Sequence, residues 1–241
     1  MNLKNGRKQI GISAAAVVAG VGCLFLLNVF GVPSGPAGRP TGGQAVAASG
    51  ELDAKVTAFL ERSRGRWYDM NVPEQDGRLL YDLVIKGGYK RALEIGTSTG
   101  LSGTYIAWAL SKTGGKLITV EIDPGRHGEA MANFKEAGLS GWIDARLADA
   151  HELVPALEGP FDFVFIDADK EWYVEYAKAV IPKLAPGGCI AAHNVSGGTG
   201  GGGRRWGRQP GTGEYYDYMA GLSEFETTIR GRQTAVSYKK K

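Results

Sequence analysis

The apolar residues from Arg91 onward follow two alternating patterns. Short continuous apolar runs, typical of buried strands, are separated by segments whose apolar residues recur at helical spacing. Strands are predicted immediately before Gly96 and at 116–121, 142–147, 161–166 and 189–192, and helices after Gly100 and at 125–137, 150–157 and 172–184. Strands and helices that alternate at this pitch form βαβ units, so we expect a parallel sheet covered by helices on both faces.

The C-terminal segment departs from this alternation. A tyrosine-rich helix is predicted at 214–222, followed by two strand-like runs at 225–229 and 234–238 with a short turn between them. Strands joined by so short a turn pair in antiparallel fashion, so the sheet is expected to end in a hairpin. The predicted fold class is therefore α/β, with a Rossmann-like, doubly wound, mostly parallel seven-stranded sheet.

The N-terminal region follows neither pattern. A basic stretch at 1–9 precedes an almost wholly apolar run at 10–30, and a segment rich in Gly, Pro and Ala follows at 31–50. An apolar helix of about 20 residues can span a bilayer, whereas the apolar part of a signal peptide is usually about 7–15 residues long. We therefore predict a single-pass membrane anchor at 10–30, with export after signal cleavage as the alternative, then a flexible linker at 31–50 and a folded domain at 51–241.

Composition and charge narrow the class of protein. The chain of 241 residues is 43% hydrophobic and 22% charged, which suffices for one α/β domain of ordinary core size. The net charge of +3 comes in part from basic residues at the two termini, so no nucleic-acid partner is expected. The two cysteines, Cys23 and Cys189, have no metal-type spacing and do not indicate a disulfide framework.

Polar or acidic residues stand at the carboxyl ends of the predicted strands. Ligands of open parallel sheets bind beyond these ends, so we expect the functional site there. The turn at 96–100 has the pattern G-x-x-x-G and not the G-x-G-x-x-G of dinucleotide binders, which disfavours a nicotinamide oxidoreductase. Glu121, at the end of the next strand, can accept both hydroxyls of a ribose, and its alternative role is a solvated strand end.

Several motifs occur together in a recognisable order. From Asn71 to the C-terminus, the segments ALEIGTSTGLSG, TVEID, LADAHEL, FVFIDADKEWY and PGGCIAAHN resemble the S-adenosylmethionine (SAM)-dependent O-methyltransferases of the catechol and caffeoyl-CoA type. The resemblance implies that SAM is the cofactor and that it is bound by Val72, Glu94, Gly96, Ser98, Ser102, Glu121, Asp149, Ala150 and Asp167. By the same resemblance, Gly96 and Ser102 hold the methionine part, Glu121 holds the ribose, and Asp149 with Ala150 holds the adenine.

Methyl transfer to a hydroxyl needs a positioned acceptor and a proton acceptor. The reaction is an in-line displacement at a sulfonium, and phenolic hydroxyls have a pKa near about 10, so a lysine base and a divalent cation would both help. The resemblance implies that Lys170 is the base and that Asp167, His193 and Asn194 are metal ligands. The alternative for Lys170 is a solvated lysine at a helix start, which the helix dipole disfavours.

His193 departs from the family pattern, which usually has Asp-Asn where this chain has His193-Asn194. Imidazole in place of a carboxylate removes a hard oxygen ligand and suits manganese, iron, nickel or zinc better than magnesium or calcium. Three interpretations follow. His193 is a ligand in a site of altered metal preference, a catalytic base or hydrogen-bond donor in a metal-independent site, or a satisfied histidine at a strand end.

The remaining polar and aromatic residues lead to further predictions. The glycine-rich run at 197–203 is followed by Arg204, Arg205, Trp206 and Arg208 and stands where a substrate-side loop is expected, with a disordered insertion as the alternative. His127 and His151 are expected to be surface histidines. Trp172, Tyr173 and Tyr176 have helical spacing, which favours a role in helix packing over substrate contacts.

The sequence thus predicts a SAM-dependent O-methyltransferase that acts on a hydroxyl of a small, aromatic acceptor. The alternative is a membrane-tethered protein of the same fold that binds the cofactor without catalysis. The resemblance also implies a homodimer.

Overall fold

A seven-stranded sheet with the order β3-β2-β1-β4-β5-β7-β6 forms the centre of the fold. The computed structural model describes residues 42–67, 70–195 and 211–241. The strands are β1 (Arg91–Ile95), β2 (Lys116–Glu121), β3 (Ile143–Leu147), β4 (Phe161–Ile166), β5 (Leu184–Ala192), β6 (Phe225–Arg230) and β7 (Thr234–Lys239). Strands β1 to β5 pair in parallel, and β7 pairs in antiparallel fashion with both β5 and β6. The predicted mostly parallel sheet with a C-terminal hairpin is confirmed.

Seven α-helices flank the sheet within the described part of the chain. They are α1 (Gly42–Arg62), α2 (Glu74–Gly87), α3 (Leu101–Thr113), α4 (Pro124–Ala137), α5 (Ala150–Ala156), α6 (Tyr173–Val180) and α7 (Thr212–Gly221). Helices α3, α4, α5 and α6 follow successive parallel strands, as the alternating pattern predicts. Helix α6 ends before Pro182, which has no backbone N–H to continue it, and β5 begins at Leu184, earlier than expected.

The strand pattern of β4 explains the two-layered core. Phe163 and Phe165 face the layer built from α1, α2 and α3, whereas Val164 and Ile166 face the layer built from α5, α6 and α7. All four side chains are at most 1% exposed. A strand that is buried on both faces holds its carboxyl end rigidly, and that end carries Asp167.

The start of the domain lies earlier than the sequence pattern indicates. Helix α1 begins at Gly42, within the segment 31–50 predicted as a linker, and its first turns contain the alanine-rich run AVAAS. Alanine has the highest helix propensity, which explains why this stretch is helical without apolar periodicity. The predicted anchor or signal at 10–30 lies outside the described residues. Among the helices that the structure describes, none is both long and apolar enough to cross a bilayer.

The sheet order places a crevice between β1 and β4. Strand β1 is hydrogen-bonded to β2 on one side and to β4 on the other, so the chain direction of the connections reverses there. Ligands of doubly wound sheets bind at this point, beyond the carboxyl ends of the strands. Every predicted strand-end residue therefore lies along one edge of the sheet.

Candidate active site

The turn after β1 requires glycine at two positions. Gly96 has φ +97° and Gly100 has φ +96°, both in the left-handed region that glycine tolerates best. A Cβ atom on Gly96 would stand 2.5 Å from the backbone oxygen of Asp167, so only glycine lets the turn pass this close to the end of β4. The backbone N–H groups of Gly96 and Thr97 both donate to the oxygen of Val120, at 3.1 Å. The turn is therefore fixed to the ends of its two neighbouring strands.

The carboxylate of Glu121 is held in place by backbone amides. Its Oε2 accepts from the N–H of Ser98 at 2.7 Å, and its Oε1 accepts from the N–H groups of Ile122 at 3.1 Å and Asp123 at 3.0 Å. These bonds use both lone-pair sites of Oε1 and one of Oε2, so Oε2 keeps a site for a ligand hydroxyl. Glu121 is thus a rigid acceptor at the end of β2, and the alternative of a solvated strand end does not hold, since the residue is only 6% exposed.

A cavity of about 380 Å³ lies beyond the carboxyl ends of the parallel strands. We call it the strand-end cavity. Of the residues predicted to bind the cofactor, six line it: Gly96, Ser98, Glu121, Asp149, Ala150 and Asp167. The remaining lining residues are Met70, Val120, Ile122, Arg126, Ala148, His151, Ala168, Asp169 and Tyr176. The cavity joins the ends of four strands, which matches the extent of a nucleoside with an attached amino acid.

Three predicted cofactor residues lie outside this lining. Val72 is buried against Leu101 in a separate hollow, and Glu94 and Ser102 are buried beneath the turn. The carboxyl group of Glu94 accepts hydrogen bonds from Ser102 and from Oγ1 of Thr119, the latter at 2.6 Å. Complete burial raises the pKa of Glu94 to about 8. These residues support the turn from behind, and their direct contact with the cofactor stays a prediction.

The far end of the strand-end cavity contains an aromatic group that the sequence did not reveal. The ring of His151 stacks on that of Trp172 with centroids 3.8 Å apart, and its Nε2 lies 3.0 Å from Oδ2 of Asp169. The hydroxyl of Tyr176 donates to Oδ1 of Asp169 at 2.6 Å. His151 is therefore part of the cavity wall, in contrast to the surface position expected for it. Its place directly after Asp149 and Ala150, at a strand end, is the signal that would have identified it.

Lys170 is held between two partners at the end of β4. Its Nζ donates to Oδ1 of Asp167 at 2.6 Å and to the hydroxyl of Tyr173 at 2.7 Å. The side chain is 16% exposed, so the alternative of a solvated lysine does not hold. The hydroxyl of Tyr173 also donates to the backbone oxygen of His193 at 3.1 Å, which ties this cluster to the end of β5. Burial, together with Asp167, raises the pKa of Tyr173 well above its usual range, so its hydroxyl stays protonated.

His193 lies between two carboxylates. Its Nε2 is 3.2 Å from Oδ2 of Asp76, and its Nδ1 is 3.3 Å from Oδ2 of Asp167. Burial alone would lower the pKa of His193, but Asp167 and Asp76 outweigh it, and the net effect raises the pKa. The imidazole is thus neither a free base nor an isolated buried histidine.

Asp76 is the main functional candidate that sequence reasoning missed. It lies in the first turn of α2, and its side chain is 2% exposed. Leu80 and Leu83, four and seven residues further along the same helix, are buried apolar residues, so Asp76 occupies a core-facing position of the helix. A carboxylate at an apolar helix position is the signal that would have singled it out.

The predicted metal ligands do not fit a divalent cation as they are arranged. Oδ1 of Asp167 is occupied by Lys170, its Oδ2 faces His193, and both ring nitrogens of His193 face carboxylates. A cation would have to separate His193 from at least one of these carboxylates. Among the described residues, no group of three or more His, Cys, Asp or Glu side chains has a geometry that could hold a metal ion.

A second cavity of about 660 Å³ lies on the other side of His193. We call it the outer cavity. Its lining consists of Asn71, Pro73, Asp76, His193, Asn194, Arg232 and Gln233. Asp167 lines the strand-end cavity, and His193 lines the outer one, so the two cavities meet at this pair of side chains. The predicted substrate-side loop at 197–203, with Arg204, Arg205, Trp206 and Arg208, lies outside the described residues.

The fold and the strand-end cavity place this protein in the class of Rossmann-like methyltransferases. The O-methyltransferase TomG from Streptomyces achromogenes, solved in complex with SAM, superposes with a TM-score of 0.62 at 25% sequence identity and covers 82% of this chain and 96% of its own. The family model for O-methyltransferases matches residues 50–198. The chain therefore belongs to the O-methyltransferase family.

Two relatives carry catechol O-methyltransferase as their name. The protein of Niastella koreensis is 38% identical over 149 residues, which cover 60% of this chain and 67% of that protein. The protein of Mycobacterium tuberculosis is 36% identical over 126 residues, which cover 52% of this chain and 56% of that protein. The matched region thus spans between about half and two thirds of these relatives. The predicted family resemblance is confirmed, and no observation on the described residues favours the alternative without catalysis.

Proposed function

We propose that this protein transfers the methyl group of SAM to a hydroxyl group of a small aromatic acceptor. The observation that carries the proposal is the meeting of two cavities at Asp167 and His193, with Lys170 bonded to Asp167 at 2.6 Å. The strand-end cavity has the hydrogen-bond acceptors and the close-packed turn that a nucleoside needs. The outer cavity has room for the molecule that receives the methyl group.

The residues present fit SAM in the strand-end cavity. Glu121 is positioned to accept the ribose hydroxyls, because both of its oxygens are oriented by backbone amides. Asp149 and Ala150 begin α5 and line the part of the cavity that we assign to the adenine, beside the stacked pair His151 and Trp172. When bound, SAM would supply an electrophilic methyl group: the S–CH₃ bond breaks and leaves its electron pair on sulfur, while the acceptor oxygen forms the O–CH₃ bond.

Lys170 is proposed to take the proton of the acceptor hydroxyl. Phenols and lysine have similar ordinary pKa values, near about 10, so proton transfer between them is close to balanced. The carboxylate of Asp167 at 2.6 Å stabilises the ammonium group that results. Tyr173 donates to the backbone oxygen of His193, and this fixes the orientation of the cluster during the transfer.

The acceptor is proposed to occupy the outer cavity. Its lining offers a guanidinium on Arg232 and carboxamides on Asn71, Asn194 and Gln233, which suit an acceptor with several hydroxyl or carbonyl oxygens. The names of the relatives, which include catechol, flavonoid and caffeoyl-CoA methyltransferases, support an aromatic acceptor.

Calorimetric titration of the full chain with SAM tests the cofactor assignment. We expect one SAM bound per chain, and we expect Glu121→Gln to weaken binding by about 10- to 100-fold because a charged hydrogen-bond acceptor is lost. Glu175→Gln is the matched control, since Glu175 is half exposed and pairs with nearby Lys178. Absence of SAM binding by the folded wild-type chain would contradict the proposal.

We also propose membrane anchoring and homodimer formation. Anchoring through 10–30 is tested by protease protection of the domain in membrane vesicles, which also determines the side on which it lies. Homodimer formation is tested by light scattering of the purified protein.

A further inference from the structure

We propose that His193 takes the place of the divalent cation in this protein, so that methyl transfer proceeds without a metal, with Asp76 and Asp167 holding the imidazole from opposite sides. The inference rests on the proposed methyl transfer and specifies its chemistry. It selects one of the three roles that the sequence leaves open for His193.

The ring of His193 occupies the position expected for the cation. His193 ends β5 and is anchored there by its backbone N–H, which donates to the oxygen of Ile166 at 3.0 Å. Its side chain points between the strand-end cavity and the outer cavity, and its Nδ1 lies 3.3 Å from Oδ2 of Asp167. The ring therefore fills the space beside Asp167 where the resemblance places a cation.

The charge of the cluster also favours this role. Asp76 and Asp167 bring two carboxylates into a region where their side chains are at most 11% exposed, and the base Lys170 becomes an ammonium group only when it takes the acceptor proton. An imidazole ring with hydrogens on both nitrogens carries one positive charge, and both nitrogens of His193 face a carboxylate. Once Lys170 has taken the acceptor proton, the four side chains together are neutral, as buried ionised groups must nearly be.

Asp76 is a buried carboxylate that needs a cation beside it. The side chain of Asp76 is 2% exposed and lies at an apolar position of α2, and among the described residues no hydrogen-bond partner contacts its Oδ1. Burial of a carboxylate this deep is costly unless a cation faces it. His193 supplies that cation. Its ring compensates the buried carboxylate of Asp76, and this carboxylate in turn holds the ring in place. Asp76 is a positioning residue: it acts on the acceptor through the ring of His193.

The consequence for the reaction concerns the acceptor oxygen. A metal would stabilise the developing negative charge on this oxygen from the side of Asp167. In this chain the ring of His193, whose two nitrogens each face a carboxylate, lies on that side and lines the outer cavity, while Lys170 lies on the other side of Asp167. As Lys170 takes the acceptor proton, Asp167 is flanked by the imidazole ring and an ammonium group, where the resemblance implies a metal and one nitrogen cation.

Manganese binding to the full chain tests the inference independently of turnover. Electron paramagnetic resonance of free Mn²⁺ is followed as the protein is added, for the wild type, His193→Asp and the control His127→Asp. We expect no stoichiometric binding by the wild type or the control, and one Mn²⁺ per chain in His193→Asp, which restores a hard oxygen ligand beside Asp167 and Asn194. Stoichiometric binding by the wild type would overturn the inference.

Chelation provides the second measurement, which needs only the wild-type chain. We expect methyl transfer to survive dialysis against a strong chelator, with less than about 0.1 metal per chain by elemental analysis. Loss of turnover on chelation and its return with Mn²⁺, Fe²⁺, Ni²⁺ or Zn²⁺ would overturn the inference even if His193→Asp does not fold. SAM binding is measured on the same samples. Absence of SAM binding would contradict the proposed function, whereas metal binding by the wild type would contradict only the metal-free role of His193.

Discussion

The two cavities that meet at Asp167 and His193 are built in different ways. The strand-end cavity takes its lining from the carboxyl ends of successive parallel strands and the turns that follow them. The outer cavity takes its lining from the segment before α2, the first turn of α2, the end of β5 and the turn between β6 and β7. The first cavity is thus a direct product of the fold, whereas the second depends on segments far apart in the chain. We expect the cofactor chemistry to be shared with relatives and the acceptor chemistry to be specific to this protein.

The largest expected effect is the loss of Lys170, which would abolish proton removal without emptying the strand-end cavity. For Lys170→Ala we predict a fall in kcat of about 10³-fold, because a positioned general base contributes about 10²–10⁴-fold. The affinity for SAM should be unchanged, as measured by calorimetry. Lys178→Ala is the matched control, since Lys178 is half exposed and pairs with Glu175. Turnover by Lys170→Ala at the wild-type rate would remove Lys170 from the mechanism.

A second prediction concerns the support beneath the strand-end cavity. The pKa of Glu94 is raised by burial from 4.5 to about 8. Between these values, the carboxyl group is ionised in the unfolded chain and protonated in the folded one, so folding stability falls as the pH rises from about 4.5 to about 8. Glu94→Gln mimics the protonated form and should be more stable than the wild type by up to about 5 kcal/mol at pH 8.5.

Urea denaturation at pH 5 and pH 8.5 measures this effect. The difference between Glu94→Gln and the wild type should be small at the lower pH, about 1 kcal/mol, and several times larger at the higher one. Equal differences at the two pH values would mean that Glu94 is ionised in the folded protein.

The smallest effect is expected at the outer cavity. In Asp76→Asn, the ring of His193 loses one of its two carboxylates, while the side-chain volume is kept. We predict that kcat falls about 10-fold, the cost of one hydrogen bond to a charged group, and that KM for SAM is unchanged. A purely structural role would instead lower the thermal stability with kcat per folded molecule unchanged. Asp82→Asn, at an exposed position of the same helix, is the control.

The comparison of the cavities also explains what the sequence could predict. The order of strands and helices follows from local periodicity, and the strand-end residues follow from that order, so Gly96, Glu121, Asp149 and Asp167 could be placed together. The pairing of His193 with Asp76 joins residues 117 positions apart, and no local pattern encodes it. A contact between residues so far apart in the sequence forms only when the tertiary structure packs.

Glu94 and Ser102 illustrate a different limit. Both belong to the motif around the turn, but strand alternation directs Glu94 away from the strand-end cavity and beneath the start of α3, where Ser102 donates a hydrogen bond to it. The motif therefore contains residues that contact the cavity and residues that support its wall. Whether a residue of the motif lines the cavity or supports its wall depends on the direction of its side chain.

The central claim is that the chain itself moves a methyl group from the strand-end cavity to an acceptor in the outer cavity. The most direct test is incubation of the full chain with methyl-¹³C SAM and a panel of catechols and other phenols, in parallel with and without a chelator, followed by mass spectrometry of the products. The account predicts one ¹³C-methyl group on a hydroxyl oxygen of at least one phenol, with loss of this product in Lys170→Ala. Binding of SAM without transfer of the label to any acceptor would contradict it.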